Sequence, residues 1–184
     1  MSHIDADQAR AVLREADLLC PAAEVDAVVR RMAARISERL EDADPLVLVV
    51  MNGALLPASL LFVHMDFPFQ ISYMHVTRYR GATHGGEIRW VARPGIEVQG
   101  RTVLVIDDIF DEGHTLKAIV EELRAGGATA VYSAVLVDKR HDRKVDLTVD
   151  FVGLEVPDRY VFGCGMDYKE YWRNLPAIYA VKGL

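Results

Sequence analysis

Between Val103 and Leu116 the chain reads Val-Leu-Val-Ile-Asp-Asp-Ile-Phe-Asp-Glu-Gly-His-Thr-Leu, and this stretch constrains the fold more than any other. The aliphatic run Val103–Ile106, followed by acids and a glycine, predicts a buried parallel strand that ends in a loop. From Leu116 the apolar positions change spacing. Leu116, Ile119, Val120 and Leu123 recur at three and four residues, the period of a helix. Gly126-Gly127 closes that helix, because glycine takes the left-handed cap conformation without strain. The loop Asp108 to Thr115 is therefore expected to join the carboxyl end of a strand to the amino end of a helix. In open α/β sheets ligands bind at that edge, and the free N–H groups of a helix start favour an anion.

The acids Asp107, Asp108 and Asp111 sit oddly beside an anion site, and carboxylates there need a reason. They can bridge through Mg²⁺ to the ligand, accept hydrogen bonds from sugar hydroxyls, or act as a general base. The plainer alternative is a solvated acidic loop, with Asp111 and Thr115 serving only as helix caps. Gly113 allows close approach of backbone to a phosphate, and Thr115 adds a hydroxyl donor at the helix start.

The whole string resembles the phosphoribosyl diphosphate (PRPP) loop of type I phosphoribosyltransferases: an apolar strand, two acids, two apolar residues, then Asp-[Ser/Thr/Glu]-Gly-x-Thr. The resemblance implies Asp107 and Asp108 near the ribose hydroxyls and Mg²⁺. It places Asp111, Glu112, Gly113, His114 and Thr115 around the 5′-phosphate.

With 184 residues, one domain spanning 1–184 is the default. A net charge of −6 argues against a general nucleic-acid binder, which would show a basic excess. Cys20 and Cys164 form neither a disulfide framework nor a zinc spacing, so a reducing cytoplasm fits best. The amino terminus has no basic and apolar secretory pattern. Leu46 to Met65 is the most apolar region, but Asn52, Pro57 and His64 interrupt it, so no membrane span is expected.

In order, Asp5 to Leu19 predicts an amphipathic helix. Pro21 opens a second helix that carries the stripe Val25, Val28, Val29, Met32, Ile36 and Leu40. Arg30, Arg31, Arg35 and Arg39 are expected on its solvated face. Leu46–Val50 reads as a buried strand ending at Met51-Asn52-Gly53, followed by a helix from about Leu55. Gln70–Val76 and Glu87–Val91 read as strands around the glycine-rich loop Thr77–Gly86, the kind of segment that serves as a lid. Ala130–Val137 is another buried strand, ending at Asp138-Lys139. The run Lys139–Lys144 is expected to be a solvated loop apart from Lys139. Phe151–Leu154 is a further short strand.

Polar residues thus gather at three strand ends, Asn52-Gly53, Asp107 to Asp111, and Asp138-Lys139. Convergence at the carboxyl edge of a parallel sheet has the form of a site. Lys139, the segment Pro157–Gly163 and the segment Gly165–Pro176 occur in an order and spacing that is similar to the hypoxanthine-guanine (6-oxopurine) phosphoribosyltransferases. That resemblance covers about Leu46 to the carboxyl terminus. It implies an α/β fold of the type I phosphoribosyltransferase class, a central mostly parallel sheet flanked by helices. A small hood would come from the N-terminal segment and about 151–184.

The resemblance further implies that Asp111 exchanges a proton with the purine N7, Lys139 bonds the 6-oxo group and Tyr160 stacks on the base. Backbone at Val161 and Asp167 would read the 2-position edge, with Asp167 joining Asp107 and Asp108 at Mg²⁺. Asn52, Gly53 and Arg173 would meet pyrophosphate, and Arg78-Tyr79 would form the lid. A cis Met51–Asn52 peptide is implied as well. The reaction would join PRPP to hypoxanthine or guanine, giving IMP or GMP and pyrophosphate, in a homodimer or homotetramer. Two departures from the family pattern stand out. Asn52 replaces a customary Lys or Arg, and Arg78, followed by Tyr79 and Arg80, replaces a customary Ser. The rival readings are a PRPP-sensing regulator that binds nucleic acid, and a transferase for another base such as xanthine. The acidic balance weighs against the first, and Lys139 favours a 6-oxo base.

Overall fold

The computed structural model describes residues 4–78 and 88–183. Two sheets organise the described residues. The larger holds β2 (Leu46–Met51), β3 (Gln70–Arg78), β4 (Ile88–Ala92), β5 (Thr102–Phe110), β6 (Ala130–Arg140) and β7 (Phe151–Pro157). Their spatial order is β4-β3-β2-β5-β6-β7. Every neighbouring pair is parallel except β3 with β4. A mostly parallel sheet covered by helices must be apolar on both faces. Leu46–Val50 and Val103–Ile106 meet that demand, since all are buried. Full burial of each such side chain contributes about 1.5–3 kcal/mol.

Three helices flank this sheet: α2 (Ala22–Leu40), α3 (Leu55–Phe62) and α4 (His114–Ala125). The stripe expected on α2 is the face it buries, Val25 through Leu40, and it packs over β7 and α3. Its four arginines are exposed, as expected, and two of them also make contacts along the surface. Arg35 donates to the Asp150 and Val152 carbonyls and lies over the Phe151 ring, and Arg39 lies over Tyr132. After β4, which lies beyond β3, the chain crosses to the other side of β2, so the switch point of the sheet falls between β2 and β5. In such sheets the crevice outside the carboxyl ends of these two strands is where ligands bind.

The smaller sheet is built from both ends of the chain: β1 (Asp17–Cys20), β9 (Ile178–Ala180) and β8 (Val161–Phe162), in that order. The first helix is shorter than expected. α1 covers Ala6–Glu15, capped by Asp5 through a capping box with Gln8, and Asp17–Cys20 leaves it to pair antiparallel with β9. A single turn of apolar spacing cannot compete with a ladder that satisfies the backbone of a Leu-Leu-Cys run. The hood also begins later than 151, because Phe151–Pro157 is the outer strand of the larger sheet. Likewise β5 does not stop at Ile106 but runs through both acids to Phe110, which leaves only Asp111–Gly113 as loop. The continued pairing of β5 with β6, through Phe110 and Asp138, keeps the acids on the strand.

Candidate active site

The peptide joining Met51 to Asn52 at the end of β2 is cis, as implied. Asn52 is exposed, whereas Gly53 is buried against the side chain of Asp108. On β5, the Asp108 N–H donates to the Asp107 carboxylate at 3.0 Å. Burial raises the pKa of Asp107 well above the carboxylate range, and the neighbouring Asp108 charge adds to it. Burial also raises Asp108, against hydrogen bonds and the charge of Arg173. Two adjacent acids removed from water do not ionise together without a cation to relieve them.

Arg173 is the cation the fold itself supplies. Its guanidinium donates to the Gly165 carbonyl at 2.9 Å, pairs with Asp167 at 2.6 Å and lies 3.9 Å from Asp108. Glu170 is 3.5 Å away. Asp167 also accepts from the Glu170 N–H at 2.8 Å. Asp108, Asp167 and Arg173 are thus brought together where the hood meets the switch point.

The short loop after β5 leads into α4 through Gly113, whose φ of 85° is left-handed and whose missing side chain leaves room for the Phe110 ring. A Cβ there would overlap that ring, so glycine is required on both counts. Neither Thr115 nor Asp111 caps the helix, because Gly113 takes the cap position and no side chain bonds it. The first-turn N–H groups after Gly113 have no carbonyl a turn earlier to bond, and Thr115 lies among them. His114 stands 3.8 Å from Glu112 at the same loop.

Asp111 faces the end of β6. Its Oδ2 accepts from Lys139 at 2.9 Å, and its Oδ1 lies 2.7 Å from His141 Nε2. Burial alone would raise the Asp111 pKa, but the hydrogen bonds from Lys139 and His141 and the charge of Lys139 outweigh it and hold the carboxyl below its usual range. Asp158 completes this corner, with one ligand atom each of Asp111, His141 and Asp158 within 4.8 Å of the others. Tyr160 is exposed and meets Tyr168 edge-on with ring centroids 5.5 Å apart, while Val161 is buried in β8. Of the expected lid, the Arg78 side chain and all of Tyr79 lie outside the described residues.

His141 was hidden in the sequence by the charged run around it. The run is not a free loop: His141 is buried, and Lys144 pairs with Asp138 and covers the Phe110 ring. The available signal was spacing, since Lys139 and His141 are two apart and an extended chain points both to one side. Elsewhere, cavities of about 360 and 430 Å³ lie beside the amino-terminal half of β6, lined in part by Ser133 and Asp150, and by Arg39 and Tyr132. They are far along the sheet from this edge and share no residue with it. Among the described residues no helix is long and apolar enough to cross a membrane.

Residues 21–170 match the phosphoribosyl transferase domain family. The hypoxanthine-guanine phosphoribosyltransferase of Bacillus subtilis is 38% identical over 160 residues, which is 86% of this chain and 89% of that protein. The protein of the same name from Aquifex aeolicus is 34% identical over 90% of this chain and 94% of its own. Among solved structures, a hypoxanthine phosphoribosyltransferase from Staphylococcus aureus superposes with a TM-score of 0.87 at 26% identity, covering 98% of this chain and 97% of that one. The strand order, the switch-point acids and these likenesses agree: the chain belongs to the phosphoribosyl transferase domain family, among the hypoxanthine-guanine phosphoribosyltransferases.

Proposed function

We propose that this enzyme serves purine salvage by moving the 5-phosphoribosyl group of PRPP to hypoxanthine or guanine, giving IMP or GMP and pyrophosphate. The observation that carries the reading is the pair Asp111 and Lys139, 2.9 Å apart at the carboxyl edge beside the start of α4. On a 6-oxopurine, N7 and the oxo oxygen are neighbours. A carboxylate suits the first and an ammonium, which only donates, suits the second. Adenine offers an amino donor in place of the oxo group, which Lys139 cannot satisfy.

In this reading N9 of the base attacks C1′ as pyrophosphate leaves, and Asp111 takes the N7 proton. Asp107 and Asp108 accept from the ribose hydroxyls and face the positive charge that develops on the sugar. Glu112, Gly113, His114 and Thr115 hold the 5′-phosphate at the amino end of α4, where unpaired N–H groups and the helix dipole favour an anion. Tyr160 stacks on the base, and backbone at Val161 and Asp167 meets its 2-position edge. Asn52, Gly53 and Arg173 receive pyrophosphate, and Arg78-Tyr79 closes over the site to exclude water.

Mg²⁺ belongs to the same reading, with Asp107, Asp108 and Asp167 as its residues. The donor set fits: carboxylate oxygens are the hard ligands Mg²⁺ prefers, and two of these acids are adjacent, Asp108 buried and Asp107 partly so, with raised pKa values that a cation would relieve. When bound, the ion neutralises diphosphate charge. The cytoplasm suits the two unpaired buried thiols. A homodimer or homotetramer completes the proposal, supported by exposed Ile71, Tyr73 and Val91 on β3 and β4.

The test is a base panel. Hypoxanthine, guanine, xanthine and adenine are each supplied with PRPP and Mg²⁺, and nucleotide and pyrophosphate are measured. Turnover with hypoxanthine or guanine and almost none with adenine is expected. Turnover confined to xanthine or adenine would replace the substrate assignment. No turnover with any base, alongside a gel shift of nucleic acid at physiological salt, would favour a regulator.

A further inference from the structure

We propose that His141 is a positioning residue, holding Asp111 in its working orientation once Lys139 turns to the oxo group of the base. The inference rests on the reading above that Asp111 takes the N7 proton. Its own ground is geometric. The Asp111 carboxylate has a different partner on each oxygen, Lys139 Nζ at 2.9 Å on Oδ2 and His141 Nε2 at 2.7 Å on Oδ1. The two partners are not equivalent. Lys139 must also serve the substrate, so its hold on Oδ2 is shared when a base arrives. His141 has no second task on the substrate side, and its side chain is only 3% exposed, against 45% for Asp111.

The ring is fixed from behind. The Arg143 N–H donates to His141 Nδ1 at 3.2 Å, so Nδ1 carries the lone pair and the ring proton sits on Nε2, where it donates to Asp111. A neutral imidazole satisfies both bonds. The charged groups around it are Asp111, Lys139 and Asp158, the last paired with Arg143 at 2.9 Å. His141 therefore acts as a donor of fixed direction, and the oxygen it leaves open to the base is Oδ2. On proton transfer the N7–H bond breaks and an O–H bond forms at Oδ2. His141 keeps its own proton throughout.

The experiment is a double-mutant cycle with His141→Leu, His141→Gln and Asp111→Asn, assayed with hypoxanthine and PRPP. His141→Leu fills the space without the bond. It is expected to lower kcat about 10- to 100-fold, the scale of a misplaced catalytic group, with KM for PRPP unchanged. His141→Gln carries an amide N–H at similar reach and should recover most of that loss. In the Asp111→Asn background His141→Leu should change kcat no further, since residues acting as one unit are non-additive. Parental kcat in His141→Leu, or an equal His141→Leu loss in both backgrounds, overturns the proposal. So does His141→Gln failing as badly as His141→Leu while its melting temperature matches the parent. If Asp111→Asn itself turns over normally, the assignment of Asp111 falls and His141 falls with it. A crippled Asp111→Asn beside an intact His141→Leu rejects His141 alone.

Discussion

Gly53 lies directly against the carboxylate of Asp108: a Cβ built on Gly53 would overlap Oδ2 and stand 2.5 Å from Cγ. The contact joins the loop after β2 to the acids of β5 across the switch point. Asp108 is only 9% exposed, so its carboxylate has little room to give way. Gly53→Ala should therefore cost about 1–3 kcal/mol through overpacking, lowering the melting temperature by about 2–4 °C per kcal/mol. It should raise the KM for PRPP more than that for hypoxanthine, because the displaced acid faces the ribose. Calorimetry with steady-state kinetics checks both, and a variant matching the parent in each would show that the contact relaxes freely.

Asp111→Asn keeps the shape of the side chain and an oxygen to accept from His141 while removing the proton acceptor. PRPP binding should survive, and turnover should fall about 10²- to 10⁴-fold, the range for a general acid–base group. Titration calorimetry with PRPP beside turnover separates the two effects. Near-normal turnover would take Asp111 out of the chemistry.

The acids at the switch point were legible because two periods meet there. A continuous aliphatic run ends at Ile106 and a helical stripe begins at Leu116, so whatever lies between them sits at a sheet edge. Lys139 was legible for a related reason, as the polar residue closing another aliphatic strand. Three things were not. Asp17–Cys20 became a strand because Ile178–Ala180, at the far end of the chain, offers it a ladder, and no local pattern reports a partner so distant. His141 sat in a charged run that reads as solvated, yet the fold buries its side chain against Asp111. Arg173 was expected to meet pyrophosphate, yet its partners in this structure are carboxylates and the Gly165 carbonyl. Sequence does not tell an arginine paired with carboxylates from one that also meets a ligand.

Lys139→Ala removes the partner of Oδ2 and leaves His141 as the remaining donor to Asp111. Use of hypoxanthine should weaken more than PRPP binding, because the base then brings an oxo acceptor to a site with no donor for it. Without the ammonium, the Asp111 pKa should also rise from its lowered position, since Lys139 heads the interactions that depress it. The acid limb of the pH–rate profile should accordingly move to higher pH. Equal losses for both substrates with an unmoved acid limb would make Lys139 a structural residue.

The cysteines give a prediction independent of the chemistry. Cys164 is fully buried in the hood, and burial pushes its thiol from an ordinary 9.0 to about 12, with smaller contributions from Cys20 and Asp108. Cys20 is likewise pushed up to about 11, by burial first and then by Glu24. Thiolate is the reactive form, so neither thiol should react with a disulfide reagent at pH 8 while the protein is folded. The same shifts set the direction of alkaline stability. Between pH 9 and about 12 the unfolded chain has lost thiol protons that the folded chain retains. Fewer protons bound in the unfolded state means that stability falls as pH rises through this window, whereas below pH 9 the thiols add no pH dependence. Cys164→Ala should flatten that alkaline decline, at the cost of a small cavity that lowers stability at neutral pH. Urea melts at pH 7.5 and 10 for parent and variant test the difference. An alkaline decline of the same slope in both would assign it to other groups.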